Sequence, residues 1–308
     1  GGEWAAGAAM LTETWPARLR GSIIALMQAG WPLGAIVASL AYQWIAPHFG
    51  WRGVFLVGVV PAIIVFFIRR TLNESEYYLE TKAKEKMVVA SERTSGLLKE
   101  LKTLLSEPYR RSFLLLMITA SLGLLGYYTI MTWIPGYLQK EQGLSIFDTT
   151  NWFIVINVAS AIGYFLFGVI ADKIGRRPAF TIYFLAAAVA TPAFGFADFQ
   201  EGSLLLLIGA ILGLAMGYFS GFPAYGSELF PTHIRASGLG IAYTGIGRIV
   251  STSGPLIVGF IADQVGIGLG IGIMGSLFIP AIIVLWWLGG ETKGKTVQEL
   301  DNRTTTPI

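Results

Sequence analysis

Cysteine is missing from all 308 residues, which excludes disulfides and thiolate metal sites. Charge is scarce too. Asp, Glu, Lys and Arg make up 13% of the chain, about half the roughly 25% usual in a soluble domain, so most of this surface meets lipid. The two histidines, His48 and His233, stand far apart in the sequence and form no metal cluster, and neither a metal nor a cofactor is expected. A net charge of +3 is too small a surplus to argue for a nucleic-acid partner. Neither His-Glu-x-x-His nor Gly-x-Ser-x-Gly occurs, which argues against a membrane-embedded enzyme. No charged segment precedes an apolar core at the start, so no signal peptide is expected. The chain opens on Gly1 in what reads as the middle of a helix, and it is expected to be a fragment.

What the chain does have is apolar length. Hydrophobic residues are 54% of the sequence, and the mean hydropathy is +0.61. Crossing a bilayer takes about 20 mostly apolar residues in a helix. Nine stretches qualify: the tail of one span ending near Thr12, then Ser22–Ile45, Gly53–Ile68, Ser112–Gln139, Trp152–Ala171, Pro178–Ala197, Ser203–Ser227, Ala236–Ala262 and Ile267–Gly290. Pro61 and Pro280 fall inside spans, which neighbouring helices make tolerable. The expected fold is therefore an all-α polytopic membrane protein.

Lys and Arg accumulate in cytoplasmic loops. With the loop from Glu13 to Arg20 placed inside, 19 of the 22 Lys and Arg fall on that side. Arg52 and Lys140 fall outside, and Arg248 lies within a span. The long polar segment and the C-terminus are thus expected in the cytoplasm of a bacterial inner membrane.

That polar segment, Thr71–Tyr109, separates two bundles. Asn73-Glu-Ser-Glu76 has the pattern of a capping box. Leu97, Leu98, Leu101, Leu104 and Leu105 recur at helical spacing with charges between them, which predicts an amphipathic helix at the interface, stopped by Pro108. The implied division is 1–70 for the remainder of a first bundle, 71–110 for the linker, 111–290 for a six-helix bundle and 291–308 for a tail. Gly209, Gly213, Gly217 and Gly221 form a small-residue ladder for close helix contact.

The chain also repeats itself. Glu13-x-x-Pro16-x-x-x-Arg20 returns 215 residues later as Glu228-x-x-Pro231-x-x-x-Arg235, each time leading into an apolar run. Two related halves with a site between them are the expected arrangement. Arg248 lies about 16 Å, and Glu3 about 15 Å, from the cytoplasmic face by helical rise. Both are near the midplane, where an unpaired charge costs about 2.5–3.5 kcal/mol. Arg248 is the candidate binder of a substrate carboxylate, which its planar fork can hold bidentately. Glu3 is the candidate proton carrier, because substrate at Arg248 would offset the cation that lowers its pKa. A structural salt bridge, or bonds to carbonyls of broken helices, would use the same two residues. Gln28, Tyr127, Tyr128, Asn157, Tyr218 and Tyr243 could complete a pocket, with Trp31 beside them. Trp133 and Trp152 read as interface anchors.

Gly168-Val-Ile-Ala-Asp172-Lys173-Ile-Gly175-Arg176-Arg177-Pro178 resembles the signature loop of the major facilitator superfamily, and Gly290-Glu291-Thr292-Lys293-Gly294-Lys295 resembles the segment after that family's twelfth helix. The resemblance covers the whole chain and implies helices four to twelve of twelve. Gly1-Gly2-Glu3-Trp4, Thr12-Glu13-Thr14-Trp15-Pro16 and Gly50-Trp51-Arg52 are similar to the sialate and monocarboxylate:proton symporters. It implies a monomeric secondary transporter in the bilayer, taking a small carboxylate with a proton by alternating access. It also implies that Glu13, Arg20, Asp172, Arg176, Arg177, Glu228 and Arg235 form a cytoplasmic gate. A sugar, aromatic-acid or other organic-acid porter, or a solute sensor that moves nothing, would fit many of the same features.

Overall fold

The computed structural model describes residues 7, 11, 15–16, 18–71, 97–196, 202–295 and 299, and among these only helices, turns and bends occur. Most of the first expected span, with Glu3, Glu13 and the Asn73–Glu76 cap, lies outside the described residues; Gly7 and Leu11 of that span are helical. Within them, 7 stretches are long and apolar enough to cross a membrane. The first, Arg20–Ile63 with 44 residues, takes in the expected Ser22–Ile45 span and part of the next. Helix α1 (Arg20–Gln28) runs into α2 (Gly30–Val57), and the helical path breaks at Gly50, whose φ of 64° suits glycine. Helix α3 (Val59–Thr71) follows.

By contacts the chain falls into two units, residues 1–37 with 104–308, and residues 38–103. In the smaller unit, Arg52 lies over the Trp51 ring at 4.5 Å. Its short helix α4 (Leu97–Leu104) matches the amphipathic segment expected there. It ends before Pro108, and Leu105 lies outside it, 43% exposed.

The larger unit holds α1 and a bundle of long helices. These are α5 (Arg110–Lys140), α6 (Ile146–Ile174) and α7 (Arg176–Phe196). Next come α8 (Gly202–Ala215), a 3₁₀ stretch Met216–Ser220 and α9 (Gly221–Leu229), which form one span. The span Ile234–Val265 is less regular. It joins most of α10 (Thr232–Leu239) to a π-helical stretch Gly240–Gly247, then α11 (Arg248–Ser251) and α12 (Ser253–Val265). Helix α13 (Ile267–Met274), a 3₁₀ turn Gly275–Leu277 and α14 (Phe278–Leu288) make the last span.

The glycine ladder sits where close packing needs it. A Cβ on Gly213 would strike the carbonyl of Ile156, and one on Gly217 the carbonyl of Gly163, so α8 and its 3₁₀ extension lie backbone to backbone on α6. Aromatic rings fill the centre of the bundle. Tyr164, Phe180, Phe184, Tyr218 and Phe222 are all at most 1% exposed.

Three helix starts in this unit take their caps from elsewhere. An α-helix leaves its first N–H groups without partners, and neither Leu19 before α1 nor Gly266 before α13 offers a side-chain cap. Asp172, at the end of α6, accepts from the backbone N–H groups of Gly21 (3.0 Å) and Ser22 (2.8 Å) at the start of α1. Glu291 accepts from Arg176 (2.9 Å) and Arg177 (3.1 Å) at the start of α7. Glu141, just after α5, accepts from Ile267 and from Gly268 (2.9 Å) at the start of α13. A carboxylate at a helix N-terminus also meets the positive end of the macrodipole, worth about 0.3–1 kcal/mol at the surface and more when partly buried.

Candidate functional site

Two groups of the expected residues come together in the larger unit. The first surrounds a recess of about 140 Å³ whose lining includes Trp31, Tyr127, Tyr128 and Asn157. Thr132 and Phe153 also line it, neither of them expected from sequence. The walls are held by ring contacts: Trp31 meets Tyr128 edge-on at 6.2 Å, and Tyr127 meets Phe219 at 4.5 Å. Asn157 donates its amide to the Phe153 carbonyl at 2.8 Å.

Arg248 follows the π stretch, near the middle of its span. It is not part of the recess lining. Its Nε is buried and has no hydrogen-bond acceptor. A guanidinium N–H without an acceptor, inside an apolar helix, suits an anion arriving from outside the chain.

The other expected pocket residues are placed differently. Tyr218 is fully buried and donates its hydroxyl to the Gly123 carbonyl at 2.9 Å. Tyr243 is 1% exposed, with its ring against Phe222 at 5.6 Å. Gln28 is 5% exposed in α1. None of the three is in the recess lining, and the hydroxyl of Tyr218 is spent on packing.

The second group is a buried ion-pair cluster at one end of the unit. Glu228 is its centre. Arg176 grips it with two bonds, Nε to Oε2 at 2.9 Å and Nη2 to Oε1 at 2.8 Å. Arg20 reaches the same carboxylate at 3.4 Å, and the Thr292 hydroxyl donates to it at 2.6 Å. Arg176 also bonds Asp172 at 3.0 Å, and Asp172 accepts the Ser22 hydroxyl at 2.7 Å. All these side chains are largely buried, so the pairs carry the desolvation cost of burial and depend on this dense bonding to offset it.

Arg177 and Arg235 stand apart from that centre. Arg177 stacks over Trp286 at 4.3 Å, and Arg235 donates to the carbonyls of Ser227 (2.8 Å) and Phe230 (3.3 Å). Sequence reasoning missed Ser22 and Thr292 as members. Thr292 lies in the tail segment that carried part of the family resemblance, but nothing in its spacing announces a partner in Glu228.

Comparison with known proteins identifies this architecture. The chain matches the Major Facilitator Superfamily over residues 1–251 and again over 150–307. It belongs to that family. Superfamily relatives include the cis,cis-muconate transport protein of Acinetobacter baylyi, 30% identical over 89% of this chain and 67% of the relative. Another is the sialic acid transporter NanX of Escherichia coli, 23% identical over 96% of this chain and 69% of the relative. Among solved structures, the superfamily's proton:xylose symporter XylE, bound to 6-bromo-6-deoxy-D-glucose, superposes with a TM-score of 0.75. It is 21% identical, covering 96% of this chain and 70% of that one. The chain is thus a membrane transporter of this superfamily, not an enzyme, and its resemblance to organic-acid transporters agrees with these relatives.

Proposed function

We propose that the chain is the major part of a proton-coupled symporter that moves a small organic anion by alternating access. One observation supports this most. The Nε of Arg248, mid-span in the larger unit, is buried without an acceptor, and the same unit holds an aromatic-lined recess. A substrate with a carboxylate and a compact apolar body would satisfy the guanidinium and lie against Trp31, Tyr127 and Tyr128, with Asn157 and Thr132 to orient it. In this reading Glu3 carries the proton, and Gln28, Tyr218 and Tyr243 support the pocket from behind.

The ion-pair cluster acts as the gate. It binds the Arg20–Ser22 segment to Asp172, Arg176, Glu228 and Thr292, so the cytoplasmic side is closed while the cluster is intact. Arg177 and Arg235 flank it, and Glu13 is assigned to it by the sequence repeat alone. The distribution of Lys and Arg supports placing that end in the cytoplasm of a bacterial inner membrane. Residues 1–70 and 111–290 would be the rocking bodies, 71–110 their linker and 291–308 the tail, in a monomer.

The deciding experiment is uptake of labelled muconate, sialate, lactate and xylose by the whole transporter in proteoliposomes, with and without a proton ionophore. Accumulation of an acid that collapses with the ionophore is expected, with Glu3→Gln retaining exchange but losing accumulation. Accumulation of xylose alone, or of no solute, would overturn the reading.

A further inference from the structure

The end of the last helix carries a second cluster of cations that the transport site does not use. Three consecutive carbonyls end α14, and two arginines from different helices hold them. Arg111 of α5 donates to Leu288 (3.0 Å) and Trp287 (3.2 Å), and Arg177 of α7 donates to Trp286 (3.0 Å). Arg177 also lies over the Trp286 ring at 4.3 Å, and its Nε is buried without an acceptor. The Trp286 indole is fixed by its bond to Thr181 at 2.8 Å. Exposed Lys173 and Lys293 adjoin, tied by the bond from Lys293 Nζ to the Lys173 carbonyl at 2.6 Å. The acid Glu291 is occupied by four backbone N–H groups, those of Arg176, Arg177, Thr292 and Lys293, and Asp172 is taken up by Arg176 and the start of α1.

Below the cations the surface turns apolar. Ile182 and Leu185 on α7 are 50% and 48% exposed, and Ile279 and Ile283 on α14 are 45% and 60% exposed. These two helices pack on one another. An apolar track that leads up to a stacked arginine, an exposed tryptophan and two lysines has the chemistry of one ligand: two acyl chains under a phosphodiester.

We propose that this groove between α7 and α14 is a binding site for an anionic phospholipid, with Arg177, Lys173 and Lys293 on the headgroup and the alkyl chains along α7 and α14. Helix capping alone would account for the bonds from Arg111 and Arg177 to the carbonyls. It does not account for the exposed lysines beside them, Lys173 and Lys293, nor for the exposed face of Trp286. A basic pocket between helix ends is the known form of an anionic-lipid site, and tryptophan suits the headgroup level.

The test is native mass spectrometry of the whole transporter, comparing retained phosphatidylglycerol with retained phosphatidylcholine, alongside thermal stability in each lipid. The wild type should retain phosphatidylglycerol preferentially. Lys173→Gln and Arg177→Gln should each reduce that preference by about fivefold, the equivalent of about 1 kcal/mol per cation near an anionic surface. Lys102→Gln, which removes an exposed cation from α4, should not. If Arg177→Gln lowers stability equally in both lipids and Lys173→Gln changes nothing, the arginines only cap the helix and the proposal fails. It fails equally if Lys102→Gln matches the other variants, or if soluble glycerol phosphate protects as well as the lipid does.

Discussion

In the proposed transport cycle, substrate recognition rests on Arg248. Its Nε is buried without an acceptor, and for the proposed binding of a carboxylate the fork geometry matters as well as the charge. Arg248→Ala should abolish uptake of the acidic substrate, while Arg248→Lys should keep a residue of it at an affinity at least tenfold poorer. Equal uptake by wild type and Arg248→Ala in proteoliposomes would remove the residue from the site. Thr292 tests the gate at the same scale. Thr292→Val keeps the shape and deletes one hydrogen bond to the Glu228 carboxylate, a bond worth about 1.5–3 kcal/mol when the acceptor is charged. The variant should spend more time open on the gate side, seen as faster labelling of a cysteine introduced below the recess. Arg248 was legible in the sequence because a cation stands out in an apolar run. Thr292 was not, because an alcohol in a short tail has no pattern of its own, and its partner stands 64 residues away.

Among the elements, the π stretch Gly240–Gly247 leads directly into Arg248. Wider turns of this kind cluster at functional sites and relax toward α geometry when a residue is taken up. Such a change would turn everything beyond it, Arg248 included. A Cβ on Gly240 would meet nothing within 4 Å, so Gly240→Ala is free of clash and acts on backbone freedom alone. It should slow turnover severalfold while substrate affinity, measured by equilibrium binding, stays near wild type. Unchanged turnover would leave the stretch a static irregularity. The existence and order of the spans could be read from apolar length and turn residues. Their interruptions could not, since α, 3₁₀ and π backbone share one hydropathy, and the break at Gly50 was legible only as a gap between two apolar runs. The glycine ladder was legible as a ladder, yet the helix it meets, α6, depends on packing.

For the whole molecule, the gate makes a stronger claim than any single pair. Asp172 serves two positive partners at once, the start of α1 and Arg176, so its charge is needed at two joints. Asp172→Asn should preserve substrate binding and weaken the closed state, lowering the rate of transport at least tenfold. Turnover at the wild-type rate in a counterflow assay would count against the gate. The repeat of Glu13 and Glu228 pointed to charge gathering at one end, where Arg20, Asp172, Arg176 and Glu228 do meet. It did not tell which charge meets which, because that pairing joins residues as far apart as Arg20 and Glu228. The borrowed caps carry one more consequence, for synthesis. The amides that open α1 wait about 150 residues for Asp172, and those that open α7 wait until Glu291 has left the ribosome. Early helices are therefore inserted with their ends unfinished until the segment after α14 folds back. A chain cut just before Glu291 would keep all seven described spans and still lack the stitch at the start of α7.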